Sequence, residues 1–540
     1  MTERQGRTMG EMAIEIDGEG IPQLQFPEPF NVAEYFTDRH IAEGRAGKVA
    51  IRTLQREVTY ADLVRNVNRF GNTLIKLGIG RGERVLMVVK DCPEFFFLFW
   101  GAIKAGVIPV PLNTMLRAKD FDYIIRDSEC AGLVYSLEFG SEVELAFAQC
   151  AWKPRVILRM EGGDETLTSR VRDASPELRA LPACASEDCF WLYSSGTTGL
   201  PKGVVHAHGD IVVTCRHFFD ATLGVQEADV FFSVPRLFFS FGMGVAMNAP
   251  LWVGATAILD DRRPTPQTVT EIFRRFAPTV FAAVPTFYAG LLASGVLQKN
   301  DVTRLRRCLS GGEATPPDVQ RRWLELTGVP TLEVIGSTEM LFIYISNRID
   351  DIRPGTTGKP VPGYQVRIVD DEGHDIADGA PGRLLVKGQS VMKRYWNNPE
   401  KTARTLVDGW LDSGDTFYRN QDGYYVYCGR SDDMFKVGAR WISPFEIEST
   451  LIEHPKVLEA AVVGRPDEWG LFKAEAWVVL KNSADASDTT AEEIRAFCKS
   501  KLAPYKYPQW ITFADQLPKT ATGKIQRFKL RTSPHEPLPT

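Results

Sequence analysis

Helical and strand-like segments alternate from about Val58 onward, and this alternation restricts the chain more than its composition does. YADLVRNVNRFGNTLIKLGI places apolar residues at helical spacing, GERVLMVV reads as a strand, and EFFFLFWGAIKAG reads as a second helix. The same order returns in AGLVYS, PRVIL, the helical EIFRRF and TVFAAV. Strands separated by helices pair in parallel, so the expected fold is α/β with largely parallel sheets. The apolar run 95–103 is bounded by Glu94 and Lys104. It falls far short of the ~20 residues a membrane-spanning helix needs and is expected as a buried helix.

The texture changes between residues 355 and 427 to short β-rich pieces, YQVRIVDDEG, GRLLVKG and GYYVYCG, joined by Gly, Asp and Asn turns. A small β subdomain is expected there. Ser443-Pro-Phe-Glu446 then spells a capping box with proline at the first helical position, which opens a new helix. The later segments EAAVVG, AEAWVVL and EEIRAFCKSKL suffice for a small α+β lid. The expected division is an N-terminal domain over 1–431 and a C-terminal lid domain over 432–540, with the hinge at Asp432.

The 63 basic and 68 acidic residues nearly cancel, so no global field draws the chain to nucleic acid or to an anionic membrane. Nine scattered cysteines, odd in number and without a CxxC pair, suggest neither a disulfide framework nor a zinc site. The N-terminal stretch carries charge and glycine where a signal peptide would be apolar. A cytoplasmic protein is the expectation, and a homodimer is left open.

Tyr193-Ser-Ser-Gly-Thr-Thr-Gly-Leu-Pro-Lys202-Gly follows the apolar CFWL and has the composition of a phosphate loop. Gly196 and Gly199 let backbone approach closely, and Ser194, Ser195, Thr197 and Thr198 offer hydroxyls to phosphate oxygens. Lys202 supplies a point charge. The string is not a Walker A loop, which requires Gly-Lys-Ser/Thr opening a helix.

The full string resembles the signature loop of the adenylate-forming superfamily: acyl- and aryl-CoA synthetases, luciferases and the adenylation domains of peptide synthetases. Further strings resemble its other motifs, in order, over nearly the whole chain. Ser310-Gly-Gly-Glu-Ala-Thr315 is similar to the adenine-side loop, which implies nucleotide contacts at Gly311, Gly312 and Glu313. Glu333-Val-Ile-Gly-Ser-Thr-Glu339 resembles the motif whose threonine meets phosphate and whose glutamate holds magnesium, implying those roles for Thr338 and Glu339. Glu333 and Ile335 are taken with the nucleotide site, although Ile335 stands where the superfamily often has tyrosine.

Trp410-Leu-Asp-Ser-Gly-Asp415 resembles the ribose motif, and an ionised Asp415 can accept from both sugar hydroxyls. Arg430 is similar to the arginine that reaches the nucleotide. Pro518-Lys-Thr-Ala-Thr-Gly-Lys524 resembles the motif of the catalytic lysine, with Lys519 as a solvated neighbour. The resemblance implies that the lid turns about Asp432 and brings in the Lys436–Trp441 loop, with Gly438 and Ala439, to shape a coenzyme A channel.

Within the superfamily the chain is similar to the benzoate– and anthranilate–CoA ligase group, on Arg236-Leu-Phe-Phe-Ser-Phe-Gly242 and Ile335-Gly-Ser-Thr-Glu-Met340. The implied acid pocket has flat walls from Phe241, Ala282, Ala283, Val284, Ile335 and Gly336, with Ser240 as a polar spot. Phe342 stands where benzoate ligases usually have a histidine donor, which ranks anthranilate and benzoate ahead of hydroxybenzoates.

The implied cofactor and co-substrates are Mg2+, ATP and coenzyme A. Two other readings stay open: adenylation that loads a carrier-protein thiol, and a nucleotide-binding protein without turnover. His206 and His208 read as polarity at a helix start rather than as a metal site.

Overall fold

The computed structural model describes residues 12–18, 20–195, 200–431, 433–437, 440–469, 471–519 and 525–532. The helix Tyr60–Lys76 starts where Thr59 and Asp62 cap each other reciprocally, and it buries Leu63, Val67, Phe70 and Leu74 on one stripe. That stripe meets the helix Pro93–Lys104, which is buried on nearly every face, as the apolar run 95–103 leads one to expect. The two helices cross at Gly71 and Gly101. A β-carbon on Gly71 would lie 2.7 Å from the Gly101 carbonyl oxygen, so the crossing needs glycine. Lys104 ends the buried helix, its ammonium held by the Asp38 carboxylate at 2.6 Å and by Asn68 Oδ1 at 2.7 Å.

Behind these helices the strands Arg84–Val88, Ile108–Pro111, Gly132–Tyr135 and Val156–Arg159 form an all-parallel sheet of four. A nine-stranded sheet lies beyond it, and its inner strands are parallel: Val49–Arg52, Thr256–Ile258, Val230–Ser233, Val280–Ala283, Arg307–Gly311 and Thr331–Gly336. Only its margins turn antiparallel, at Glu57–Thr59 on one side and at Ile343–Ser346 with Lys359–Pro360 on the other. The α/β fold with largely parallel sheets is therefore present in both large sheets. A third, antiparallel unit pairs Asp188–Ser195 with Pro201–Ala207 and then with Arg394–Tyr395.

The β-rich stretch folds as an antiparallel sheet of five strands running from Tyr364–Val369 to Tyr425–Arg430. After it comes a separate core in which Ile442, Ile447, Leu451, Val462, Ala476, Val478 and Ile494 pack together. Its sheet joins Val457–Pro466, Phe472–Leu480 and Trp510–Phe513. Its first helix, Pro444–Ile452, begins at Ser443, whose hydroxyl accepts from the Glu446 amide. All nine cysteines are free. No helix among the described residues is long and apolar enough to cross a membrane.

Candidate active site

The hairpin Asp188–Ser195/Pro201–Ala207 sets Lys202 directly across from Ser194 at the base of the phosphate loop. Gly196, Thr197, Thr198, Gly199 and the side chain of Ser195 lie outside the described residues. The half-buried Lys202 ammonium stands over the Tyr395 ring, 5.5 Å from its centre. Burial and the charge of Lys401 hold its pKa below the ordinary lysine value; Glu339 opposes this and Arg430 adds to it. A cation surrounded by other cations gains when a polyphosphate arrives beside it.

Glu339 follows the strand Thr331–Gly336 and accepts from Tyr395 Oη at 2.8 Å and from Ser194 Oγ at 3.4 Å. Among the described residues both of these bonds end on Oε1, which leaves Oε2 for a cation. One carboxylate oxygen with phosphate and water oxygens suits Mg2+, which takes few protein ligands. No cluster of three His, Cys, Asp or Glu stands among the described residues, so Glu339 would hold such an ion without a protein cage. The Thr338 carbonyl is bound by His206 Nε2 at 2.8 Å, and the Glu339 carbonyl accepts from the Met392 amide at 2.7 Å.

The Ser310–Thr315 loop is tied down from below. Ser310 Oγ accepts from the Thr315 hydroxyl at 2.8 Å, and Gly312 takes a φ of +94°, a conformation that favours glycine. Glu333 turns inward and accepts from the Thr315 amide at 3.3 Å and from Gln320 Nε2 at 2.9 Å. Burial pushes its carboxyl up to about 8 against the pull of those two donors. Glu333 therefore braces the loop from inside. Glu313, at the loop's crest, accepts from the Ile525 amide at 3.0 Å.

Asp415 and Arg430 face each other in register on neighbouring strands, and a guanidinium nitrogen of Arg430 lies 3.2 Å from Asp415 Oδ1. Gly414 has a φ of +70°, and a β-carbon there would come within 2.5 Å of the Arg430 guanidinium. Arg430, Tyr427, Glu313 and Ile525 line one cleft between the SGGEAT loop and the C-terminal core. Lys524, Asp432, Gly438, Ala439 and the side chain of Trp441 lie outside the described residues. The exposed Lys436 sits in the strand Phe435–Val437, with its backbone opposite Trp441.

Phe342 and Ala282 belong to the large apolar core, and Phe241 and Ile335 pack against it. Phe342 is buried against Phe219 and Phe241, with ring centres 4.9 and 6.1 Å away, and against Gly244, where a β-carbon would lie 2.2 Å from the ring. Gly336 is equally constrained, since a β-carbon there would meet the Phe342 carbonyl oxygen at 2.3 Å. Neighbouring strand residues point to opposite faces, and Ala283 packs with Tyr288 and Trp323 in the cluster behind the sheet. Val284 caps the next helix, and Ser240 opens the short helix Ser240–Met243, partly exposed.

Sequence motifs give no signal for Tyr395, since Arg-Tyr-Trp has no distinctive spacing and the residue reaches Glu339 only through strand pairing. The same holds for His206, whose link to Thr338 spans 132 positions.

Residues 38–396 match the family described as AMP-binding enzyme, and residues 446–524 match the AMP-binding enzyme C-terminal domain. The chain belongs to the AMP-binding enzymes. This AMP-binding enzyme is 45% identical to a benzoate–CoA ligase of Thauera aromatica, over 95% of this chain and 98% of that one. A solved benzoate CoA ligase from Burkholderia xenovorans superposes with a TM-score of 0.87 at 42% identity, covering 93% of this chain and 100% of that one. A solved anthranilate CoA ligase in complex with anthranoyl-AMP gives a TM-score of 0.90 at 39% identity, covering 94% and 98%.

Proposed function

We propose that this AMP-binding enzyme is an AMP-forming aryl carboxylate–CoA ligase. The observation that carries the reading is convergence: Lys202, Glu339 and Arg430, from three separate motifs, share one electrostatic neighbourhood. Phe342, three residues after Glu339, packs in the same apolar cluster as Phe241 and Ile335. Similarity to ligases named for benzoate and anthranilate supports an aromatic acid in that cluster.

In the first half-reaction one carboxylate oxygen attacks the α-phosphorus of ATP, and the bond from that phosphorus to the pyrophosphate bridging oxygen breaks. Aryl-adenylate and pyrophosphate result. In the second, the thiol sulfur of coenzyme A attacks the acyl carbon, its proton passes to water, and the carbon–oxygen bond to AMP breaks. Ser194, Lys202 and the loop 196–199 hold phosphate oxygens, Thr338 adds a hydroxyl, and Asp415 with Arg430 fixes the ribose end. Glu339 would hold Mg2+, which when bound would neutralise charge on the phosphates. Lys524 bridges carboxylate and α-phosphate; the bond from the Ile525 amide to Glu313 supports this by tying the adjoining residue to the SGGEAT loop. Asp432 acts as the hinge between the two half-reactions, and the Lys436–Trp441 loop lines the thiol channel.

Phe342 offers no hydrogen bond to the acid's carboxylate, which the amino group of anthranilate can satisfy internally; this ranks anthranilate and benzoate ahead of hydroxybenzoates. The test is pyrophosphate release with benzoate, anthranilate, hydroxybenzoates and a medium-chain fatty acid, each with and without coenzyme A. The expected outcome is turnover accelerated by coenzyme A on benzoate and anthranilate. Pyrophosphate without thioester would point to a carrier-protein acceptor, and silence with every acid would defeat the ligase reading.

A further inference from the structure

His206 is fully buried at the end of the strand Pro201–Ala207, with Phe190 of the paired strand stacked 5.4 Å away. The strand register shifts between His206 and Ala207, a bulge that re-aims the side chains around it. Nδ1 lies 2.8 Å from Asp210 Oδ2, and Nε2 lies 2.8 Å from the carbonyl oxygen of Thr338. A carbonyl only accepts, so Nε2 must carry a proton. Asp210 Oδ2 also accepts from the Ala207 amide at 3.0 Å, which fixes the carboxyl group. Two bare acceptors would repel, so one proton lies between Nδ1 and Asp210 and orients the ring. Asp210 is the titratable group in contact with the ring; the paired strand offers Phe190, and the 337–342 turn offers the Thr338 carbonyl.

That carbonyl carries more than one bond. It also accepts from the Leu341 amide at 3.0 Å, closing a tight turn in which Leu341 adopts a φ of +64°. Leucine rarely takes this conformation, and it persists only where the surroundings over-determine it. The turn presents the Thr338 hydroxyl and the Glu339 carboxylate, and the strand holding His206 begins at the phosphate loop. His206 therefore links the two halves of the phosphate site at the backbone.

We propose that His206 is a positioning residue for adenylation: a ring oriented by Asp210 whose Nε2–H clamps the Thr338 carbonyl and thereby fixes Thr338 and Glu339 relative to the phosphate loop. The kinetic part rests on the ligase reading above; the protonation part does not.

The test begins with the unaltered protein carrying 15N-histidine, where long-range proton–nitrogen spectra report both ring nitrogens of each of the seven histidines. His206→Gln assigns the signal by its loss. The expected spectrum has His206 Nε2 protonated, and a bare Nε2 would overturn the clamp. His206→Phe keeps a ring and removes the Nε2 donor, whereas His206→Gln keeps an N–H donor of similar reach. Pyrophosphate release is expected to fall by about 10–100-fold in the Phe variant, with a raised Mg2+ requirement, and to recover to within several-fold in the Gln variant. Equal losses in both, tracking a lowered melting temperature with Mg2+ dependence unchanged, would reduce His206 to packing and overturn the positioning role. If the unaltered protein turns over no aryl acid, the ligase reading fails while the spectrum still judges the clamp.

Discussion

Glu333 is a carboxyl group that the fold keeps neutral. Burial raises it from an ordinary 4.5 to about 8 while the Thr315 amide and Gln320 donate to it. Between those two values the unfolded chain has released the proton and the folded chain holds it, so folding takes up a proton. The stability this provides is complete below 4.5 and is lost as pH rises to about 8. Glu333→Gln keeps an oxygen acceptor without the titration. Its melting temperature relative to the unaltered protein is expected to rise from the acid to the alkaline end of that window, and a gap independent of pH would show Glu333 ionised in the fold. The resemblance implied Glu333 as part of the nucleotide site, but its inward turn is set by Thr315 and Gln320, which only tertiary packing brings to it. Phe342 was legible as a departure from the histidine of benzoate ligases. Its aromatic neighbours Phe218 and Phe219 were not, because they come from a segment more than a hundred positions away.

Elements with a strong period were readable: Tyr60–Lys76, Arg84–Val88, Pro93–Lys104 and the Ser443-capped helix lie where their patterns put them. The π-helical turns Cys215–Leu223 and Gly244–Asn248 were not, because no residue pattern separates them from ordinary helix. Nor does local sequence reveal that Thr256–Ile258 lies beside Val49–Arg52, a pairing decided by the whole sheet. The junction of Thr331–Gly336 with Ile343–Ser346 carries a close backbone approach. A β-carbon on Gly336 meets backbone atoms of Phe342 at 2.3 and 2.7 Å, which cannot swing aside as a side chain would. Gly336→Ala is expected to destabilise the protein by about 1–3 kcal/mol through overpacking and to slow adenylation, because the same turn carries Thr338 and Glu339. Thermal melts and pyrophosphate release together check this. Unchanged values in both would mean that the junction yields freely.

Across the whole molecule the site is assembled from the phosphate-loop hairpin, the end of the nine-stranded sheet, the five-stranded sheet and the segment entering the helix Arg527–Thr532. Order along the chain revealed which strings belong together, because the resemblance to the adenylate-forming superfamily fixes their sequence. It did not reveal how Tyr395 and His206 bind those strings to one another. The C-terminal core anchors its last helix by its own ion pairs: Arg527 binds Glu448 at 2.8 Å, and Arg531 pairs with Asp433. Ile525, just before that helix, is tied to Glu313 through its amide. Aryl-adenylate formation requires attack of an aryl carboxylate oxygen on the α-phosphorus of ATP. Turnover of benzoate labelled with 18O in both carboxylate oxygens, followed by mass spectrometry of the nucleotide product, tests it most directly. AMP carrying one 18O, together with unlabelled pyrophosphate and benzoyl-CoA retaining the other 18O, is the expected result; unlabelled AMP, or ADP with labelled phosphate, would contradict it.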